Sequence, residues 1–230
     1  MELNHILLIP DGNRRWAQKR NKNPWEGHRA GVESFKDLMD YITKNNVVKY
    51  ISFWTISKDN FAKRSKKELG FLIKLMGEAF GKFSKDKIIK ERGVNIKFYG
   101  TWDKVFDNKI VKNLKKVEEE TKNNKNFFLS MLLVYDGKEE LMEAVNKIKT
   151  NKRITENDIK DNLWTKTVPD VDLIVRTGID GDPHLSGNVL LWQTSYSQLY
   201  FTDTLWPDLK TVELKKAIAD YSKRERRKGK

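Results

Sequence analysis

The chain has 230 residues, of which 38% are hydrophobic, and its 45 Lys and Arg against 32 Asp and Glu give a formal net charge of +13. The absence of cysteine excludes disulfides, thiolate metal sites and cysteine nucleophiles, and no stretch approaches the roughly 18 consecutive apolar residues of a membrane-spanning helix. The positive charge favours an anionic partner, which leaves nucleic acid, anionic lipid and phosphorylated metabolites open. The first apolar stretch is too short for a signal peptide, so a cytoplasmic location is expected.

Short β-rich runs alternate with helical stretches along the chain. The predicted strands are nearly continuous in apolar residues, as strands buried on both faces are; they cover residues 6–9, 47–56, 94–99, 127–135, 171–175 and 189–192. Apolar residues three and four positions apart predict helices over residues 32–42, 69–83 and 110–117. The second of these helices is expected to stop near Gly93, and residues 150–170 are expected to form a polar connection that contains a helix.

The alternation of strands and helices predicts the fold class. It is typical of an α/β protein with a mostly parallel central sheet flanked by helices on both faces. No linker, repeat or low-complexity tract interrupts residues 1–230, so a single domain is expected. In such sheets, ligands lie beyond the carboxyl ends of the strands. The polar residues that follow predicted strands are therefore the candidates for chemistry.

The first such cluster, Pro10–Trp16, follows the first predicted strand. Gly12 permits a tight turn and a close backbone approach to a ligand, and the segment after it can present amide groups at the start of a helix, where phosphates bind. Arg14 and Arg15 add charge-assisted contacts. Asp11 would repel a phosphate unless a cation such as Mg²⁺ bridges the two. An ordinary Asp-Gly turn with solvent-facing arginines explains the same residues equally well.

Two further clusters follow later strands. Ser57 and Asn60 can hydrogen-bond a phosphate or help move a proton, although capping of a helix is the more common role of such residues. Arg176 leaves a buried strand and is followed by Gly, His184 and Ser186, which indicates either an oxyanion cradle or a polar loop with one structural arginine. The chain has no P-loop, dinucleotide-binding glycine motif or zinc signature. These residues alone therefore leave two classes, an α/β enzyme with a phosphate site and a basic binding module.

The motifs as a set resemble the cis-prenyltransferases, the undecaprenyl diphosphate synthase family. The resemblance runs from about His5 to Gly229 with the motifs in the family's order. They are Ile9-Pro-Asp-Gly-Asn-Arg-Arg-Trp-Ala17, Gly27-His-Arg-Ala-Gly31, Ser57-Lys-Asp-Asn-Phe61, Asp172-Leu-Ile-Val-Arg-Thr-Gly178, Leu190-Leu-Trp-Gln193, Leu199-Tyr-Phe-Thr-Asp203, Leu205-Trp-Pro-Asp208 and Arg224-Glu-Arg-Arg227.

This resemblance implies the butterfly fold of the family, with a hydrophobic tunnel, and a homodimer. It implies a prenyltransferase that needs Mg²⁺ and joins an allylic diphosphate to isopentenyl diphosphate with loss of diphosphate. By the same resemblance, Asp11 and Asn60 are catalytic, and Asp11 holds the metal. The substrate-binding residues that it implies are Gly12, Asn13, Arg14, Arg15, Trp16, His28, Ser57, Phe61, Arg64, Arg176, His184 and Ser186.

The chain departs from the family pattern mainly on the side of the second substrate. Gln198 stands where the family has a glutamate that completes the metal site, and a neutral amide binds Mg²⁺ more weakly than a carboxylate does. His184 stands in place of an arginine, and Phe61 in place of a tryptophan. Two alternatives follow from these differences. The enzyme makes irregular, non-head-to-tail prenyl diphosphates, or it is a weakly active subunit that needs a partner.

The basic charge leaves two other interactions to weigh. A nucleic-acid-binding module would need aromatic residues interleaved with basic ones on an exposed face, whereas most of the seven Trp lie in strands or in the motifs above, so no nucleic-acid partner is expected. The C-terminal tail, residues 223–230, is the candidate for peripheral contact with an anionic membrane, because a long-chain product must partition into lipid.

Overall fold

The computed structural model describes residues 2–149, 153–185 and 188–224. Its centre is a six-stranded sheet in the order β3-β4-β2-β1-β5-β6, in which every pair of neighbours is parallel. This confirms the predicted fold class. The strands are β1 His5–Ile9, β2 Tyr50–Ser57, β3 Val94–Tyr99, β4 Phe127–Tyr135, β5 Leu173–Arg176 and β6 Gln198–Phe201.

Helices connect the strands. The α-helices are α1 Asn13–Gln18, α2 Pro24–Lys44, α3 Lys58–Lys63, α4 Lys66–Phe80, α5 Lys87–Arg92, α6 Trp102–Val105, α7 Asn108–Thr121, α8 Gly137–Lys147, α9 Glu156–Asn162 and α10 Thr211–Lys223, with two 3₁₀ turns at Phe83–Lys85 and Trp206–Asp208. Among the described residues, no helix has the length and apolar character needed to cross a membrane.

The sheet separates two hydrophobic cores. Because side chains alternate along a strand, Ile6 and Leu8 of β1 join the larger core, which includes residues of α2, α4, α7 and α10. Leu7 and Ile9 join the smaller core on the other face. Both faces of β1 are therefore covered, which explains why this strand reads as a continuous apolar run.

Two predictions about individual elements are wrong. Residues 189–192 form turns rather than a strand, since Asn188 and Leu190 have φ of 52° and 45°, a left-handed conformation that an extended strand does not contain. The sixth strand is instead β6, whose half-buried pattern hides it from a search for buried runs. The helix predicted from residue 69 ends at Phe80; a 3₁₀ turn and α5 follow, and Gly93, with φ 66°, caps the end of α5.

The parallel order places the predicted clusters at one edge of the sheet. Strands β1, β2 and β5 are neighbours, and their carboxyl ends lead into Asp11, Ser57 and Arg176 respectively. The connection between residues 150 and 170 contains helix α9 in its described part, as expected.

Candidate active site

A cavity of about 550 Å³ lies at this edge of the sheet. One part of its lining, called the polar mouth here, consists of charged and polar residues, and the other part, the apolar depth, of hydrophobic ones. The polar mouth comprises Asp11, Asn13, Arg14, Arg15, Gln18, His28, Ser57, Asn60, Arg64 and Arg176. The apolar depth comprises Val32, Phe35, Phe53, Ile56, Leu72, Leu75, Met76, Ala79 and Phe80.

The apolar depth lies between helices α2 and α4 and strand β2 and is bounded by aromatic rings. The ring of Phe35 contacts that of Phe53 edge-on at a centroid distance of 4.6 Å and stacks on that of Phe83 at 5.9 Å. Phe80 and Phe83 are 5.1 Å apart. These side chains are at least 93% buried, so this part of the cavity is fit for a hydrocarbon chain and not for a polar one.

The loop after β1 is held in place by its backbone. Gly12 has φ 102°, and a side chain at that position would collide with Leu205, whose Cδ2 atom would lie 2.7 Å from the added Cβ. The carbonyl oxygen of Asp11 accepts hydrogen bonds from Thr177 Oγ1 at 2.7 Å and from the backbone N–H of Trp206 at 2.9 Å. The sequence motif therefore needs glycine here for both conformation and space.

The Asp11 carboxylate lies between two arginines. Its Oδ1 atom is 3.3 Å from Arg15 Nη2, and its Oδ2 atom is 3.3 Å from Arg176 Nη2. The Arg176 side chain is only 4% exposed, and a buried charge is costly unless it is paired. Its contact with Asp11 therefore stabilises the buried guanidinium. Arg15 also donates to the carbonyl oxygen of Gly178. The polar mouth thus carries more positive than negative charge.

On the other side of the polar mouth, His28 lies near Arg14 and Arg64. Burial, together with the charges of Arg64 and Arg14, lowers the pKa of His28 to about 3, so the imidazole is neutral at pH 7. Its Nε2 atom is buried and has no hydrogen-bond partner among the described residues, and the same is true of Asn13 Oδ1. Buried polar atoms are nearly always hydrogen-bonded. These two atoms therefore point to a ligand that completes the site.

Ser57 takes the capping role that was considered for it, and Ser57 and Asn60 both lie at the cavity. Ser57 Oγ accepts a hydrogen bond from the backbone N–H of Asn60 at 3.0 Å and caps helix α3. Both residues also line the cavity, and the Asn60 side chain is exposed to it. Arg64, the residue after α3, pairs with Glu68 at 3.3 Å.

Three predicted substrate-binding residues, Trp16, Phe61 and His184, lie outside the described lining of the cavity. Trp16 Nε1 donates to Asp208 Oδ1 at 2.7 Å, on the far side of helix α1. The ring of Phe61 packs against that of Phe106 at 6.4 Å. Neither ring lines the cavity in this structure.

His184, predicted to bind the second substrate, and Gln198, predicted to bind the metal, contact other parts of the chain. His184 Nε2 lies 3.2 Å from Arg176 Nη2, and the His184 carbonyl oxygen accepts from Arg176 Nη1 at 2.6 Å. Because a guanidinium only donates, Nε2 accepts, and Nδ1 carries the proton toward the Asp182 carbonyl oxygen at 2.7 Å. Within the single chain, Gln198 is not brought to Asp11. Ser186 lies outside the described residues.

The position of Gln198 follows from strand register. Gln198 pairs with Leu173, whereas Arg176 pairs with Phe201 on one side and with Ile9 on the other. Gln198 is thus three residues, or about 10 Å, before the carboxyl edge of the sheet. Its Oε1 atom accepts from Arg224 Nη1 at 3.3 Å.

The donor set fits a metal ion only in combination with a ligand. Among the described residues, no group of three His, Cys, Asp or Glu side chains could hold a metal, and Asp11 is the one acidic residue in the described lining of the cavity. Mg²⁺ is often bound by one or two carboxylates together with substrate phosphates. Asp11 fits a metal that is shared with a phosphate group.

Sequence reasoning missed several residues of the cavity. Trp206 lines it, and Phe35, Leu72 and Met76 form part of the apolar depth. The last three belong to the apolar stripes that predicted helices α2 and α4, but a stripe that faces a cavity has the same spacing as one that faces a packed core.

The chain matches the family model Prenyltransf, described as "Putative undecaprenyl diphosphate synthase", over residues 9–229. It is 38% identical to an isoprenyl transferase of Rickettsia typhi over 231 residues, covering 99% of this chain and 98% of that protein. It is 39% identical to an isoprenyl transferase of Fusobacterium nucleatum, covering 98% of this chain and 95% of that protein.

Solved structures agree with these matches. Lavandulyl diphosphate synthase from Lavandula x intermedia, in complex with dimethylallyl diphosphate, superposes with a TM-score of 0.87 at 27% identity, covering 100% of this chain and 99% of that one. A probable undecaprenyl diphosphate synthase from Campylobacter jejuni gives a TM-score of 0.81 at 27% identity, with both chains covered fully. Fold and site thus define a prenyl-transferring enzyme. The chain belongs to the undecaprenyl diphosphate synthase family of cis-prenyltransferases.

Proposed function

We propose that this enzyme condenses an allylic diphosphate with isopentenyl diphosphate or a related prenyl diphosphate, with loss of diphosphate, and that residues 1–230 act as one catalytic domain. The observation that carries the proposal is the cavity, which joins four arginines at the polar mouth to an aromatic-walled apolar depth. A prenyl diphosphate has the same two parts, an anionic head and a hydrocarbon tail.

The head of the allylic substrate would bind at Gly12, Asn13, Arg14 and Arg15, with His28 and Arg64 beside it. The arginine forks suit the paired oxygens of a diphosphate. The buried Nε2 atom of His28, which has no partner among the described residues, is the natural contact for a phosphate oxygen. The tail would extend between α2 and α4, where it displaces no hydrogen-bonded group.

The reaction begins with cleavage of the allylic C–O bond, which leaves cationic character on carbon and negative charge on the departing diphosphate. Arginines aimed at the leaving oxygens stabilise that charge. Mg²⁺, held by Asp11 together with the diphosphate, would supply further charge neutralisation. The double bond of the second substrate then forms the new C–C bond, and loss of a proton restores an alkene. Asn60, exposed at the polar mouth, is the candidate to assist that proton transfer, with Ser57 next to it.

A second candidate is the joining of two allylic units in an irregular manner. It is favoured by His184, which stands where the family pattern has an arginine and which accepts a hydrogen bond from Arg176 instead of adding a positive charge. Lavandulyl diphosphate synthase is also among the structures that this chain resembles. The predicted roles of His184, Arg176 and Ser186 in holding the second diphosphate apply to either reaction.

The family resemblance supports two further proposals about assembly. We propose a homodimer and a peripheral contact of the basic C-terminal tail with anionic lipid. A single chain leaves Gln198 about 10 Å from the edge that carries Asp11, so a metal role for Gln198 would require a neighbouring subunit.

Product analysis tests the proposed function. Purified protein is incubated with Mg²⁺ and labelled isopentenyl diphosphate, with and without an allylic diphosphate, and products are measured by mass spectrometry. Metal-dependent Z-prenyl products that need both substrates are expected. Conversion of the allylic diphosphate alone would favour the irregular reaction. Inactivity that is relieved by a second protein would favour the subunit alternative.

A further inference from the structure

Helix α1 carries four residues of the polar mouth, Asn13, Arg14, Arg15 and Gln18. It packs closely against helix α2, since a side chain at Gly27 would collide with the carbonyl oxygen of Asn13. It is six residues long, its N-cap Gly12 provides no side-chain cap, and Ala17 is its one buried side chain. A helix this short is marginal without tertiary contacts. The placement of this helix, and with it of Arg14 and Arg15, therefore depends on contacts with the rest of the chain.

The outer face of α1 is tied to Asp208. Trp16 Nε1 donates to Asp208 Oδ1 at 2.7 Å, and Arg20 Nη2 lies 3.1 Å from Asp208 Oδ2. The Arg20 guanidinium also lies over the Trp16 ring at 4.4 Å. Each contact is partly exposed and weak alone, but together Trp16, Arg20 and Asp208 form a closed ring of contacts, called the Asp208 anchor here.

Asp208 is itself attached to a rigid support. It ends the 3₁₀ turn Trp206–Asp208, in which the Trp206 indole N–H donates to the Gly31 carbonyl oxygen at 2.9 Å. Ser34 Oγ donates to the Pro207 carbonyl oxygen at 2.7 Å, and both partners are buried. The backbone N–H of Trp206 also donates to the Asp11 carbonyl oxygen. The Asp208 anchor thus ties α1 to the same turn that holds the loop after β1.

We propose that Asp208 is a positioning residue: through Trp16 and Arg20 it fixes helix α1 so that Arg14 and Arg15 meet the diphosphate head of the substrate. This inference rests on the proposed function, since it takes a diphosphate as the ligand of the polar mouth. It assigns Trp16 a role outside the cavity, in place of the substrate contact that the family resemblance implies.

The variant Asp208→Ala tests the role in ligand binding. Isothermal calorimetry measures the Kd of farnesyl diphosphate and of inorganic pyrophosphate, and steady-state kinetics measure KM and kcat. Both Kd values and KM are expected to rise about tenfold, with a smaller change in kcat, because positioning of a binding group is lost and not a reacting group. Asp208→Asn, which keeps an acceptor for the indole but loses the charge, is expected to be intermediate.

Asp37→Asn is the matched control. Asp37 is exposed and pairs with Lys210 at 3.6 Å, beside the same turn but away from α1. The Kd and KM values of the Asp37→Asn variant are expected to equal those of the wild type. Equal Kd values for wild type and Asp208→Ala would overturn the inference, as would an equal loss in Asp37→Asn. Failure of the wild type to bind either ligand would instead remove the proposed function.

A double-mutant cycle separates positioning from general destabilisation. Trp16→Phe removes the indole N–H but keeps a ring, and in the Asp208→Ala background it is expected to add little, because both changes break one contact. The indole signal of Trp16, assigned by its loss in Trp16→Phe, should shift in Asp208→Asn and not in Asp37→Asn when measured by ¹⁵N-edited NMR. Full additivity of the two Kd effects, or an unmoved indole signal, would contradict the role of Asp208.

Discussion

At the amino end of strand β1, the imidazole of His5 is fully buried and both of its nitrogens are hydrogen-bonded, whereas beyond the carboxyl end the imidazole of His28 has an Nε2 atom with no partner among the described residues. His5 Nδ1 lies 2.9 Å from the Pro169 carbonyl oxygen, and His5 Nε2 lies 2.9 Å from Ser52 Oγ. A carbonyl only accepts, so Nδ1 carries the proton and the hydroxyl of Ser52 donates to Nε2.

The acidic residues at the two ends differ in the kind of partner that they have and in whether they face the cavity. Near the amino end, Asp172 Oδ2 accepts the backbone N–H groups of Asn4 and His5 at 2.9 and 3.0 Å, which ties the start of β1 to β5. Near the carboxyl end, Asp11 is held between Arg15 and Arg176 at the wall of a cavity. Polar groups that find protein partners hold the fold together, and polar groups that are left facing a cavity indicate where a ligand binds.

The largest expected effect comes from Arg176→Ala. This change removes a buried guanidinium that contacts both Asp11 and the His184 carbonyl oxygen. If the polar mouth stabilises a departing diphosphate, kcat should fall about 10²- to 10³-fold, the usual cost of losing one group that stabilises developing charge. Steady-state kinetics with a labelled prenyl diphosphate measure it.

Arg176→Lys is the companion variant. Lysine keeps the charge but lacks the planar fork that reaches two partners, so it should recover only part of the rate. Recovery of the full rate would show that charge alone matters at this position. An unchanged kcat in Arg176→Ala would show that Arg176 stabilises the fold and takes no part in the reaction.

The second expected effect is on stability and concerns the amino end of β1. Burial lowers the pKa of His5 from 6.5 to about 4, so between these values the unfolded chain binds a proton that the folded chain does not. Stability should therefore fall as the pH drops from 6.5 to 4, by about 3 kcal/mol in all at 1.36 kcal/mol per pKa unit. Urea unfolding at several pH values measures this, and His5→Gln should show a shallower pH dependence. The same slope in both proteins would contradict the assignment.

The sequence predicted local features of the molecule well and long-range contacts poorly. Buried apolar runs identified β1 to β5, and the motif after Ile9 identified the loop that carries Asp11, because each is a local pattern. The prediction of a strand over residues 189–192 is wrong because an apolar run does not report the left-handed backbone at Leu190. Contacts between distant residues, such as Trp16 with Asp208, depend on how the chain folds back on itself and have no local pattern.

The smallest expected effect concerns ligand binding at His28. In the structure, burial and the nearby Arg64 and Arg14 lower its pKa to about 3, and a bound diphosphate would add negative charge that raises the pKa again. Binding should therefore take up as much as one proton, and affinity should rise as the pH falls through the raised pKa, by at most about tenfold per pH unit. Calorimetry of inorganic pyrophosphate binding from pH 8 to pH 6, in buffers of different ionisation enthalpy, measures both quantities.

His28→Gln is the control for that measurement, since the ligand's own protonation contributes equally to both proteins. Glutamine offers the ligand a hydrogen bond but does not titrate, so its proton uptake should be smaller and its pH dependence shallower than those of the wild type. Identical curves for the two proteins would mean that the diphosphate does not reach Nε2 of His28. The unpartnered nitrogen would then be an ordinary feature of a wet cavity, and the contrast between the two ends of β1 would rest on Asp11 and the arginines alone.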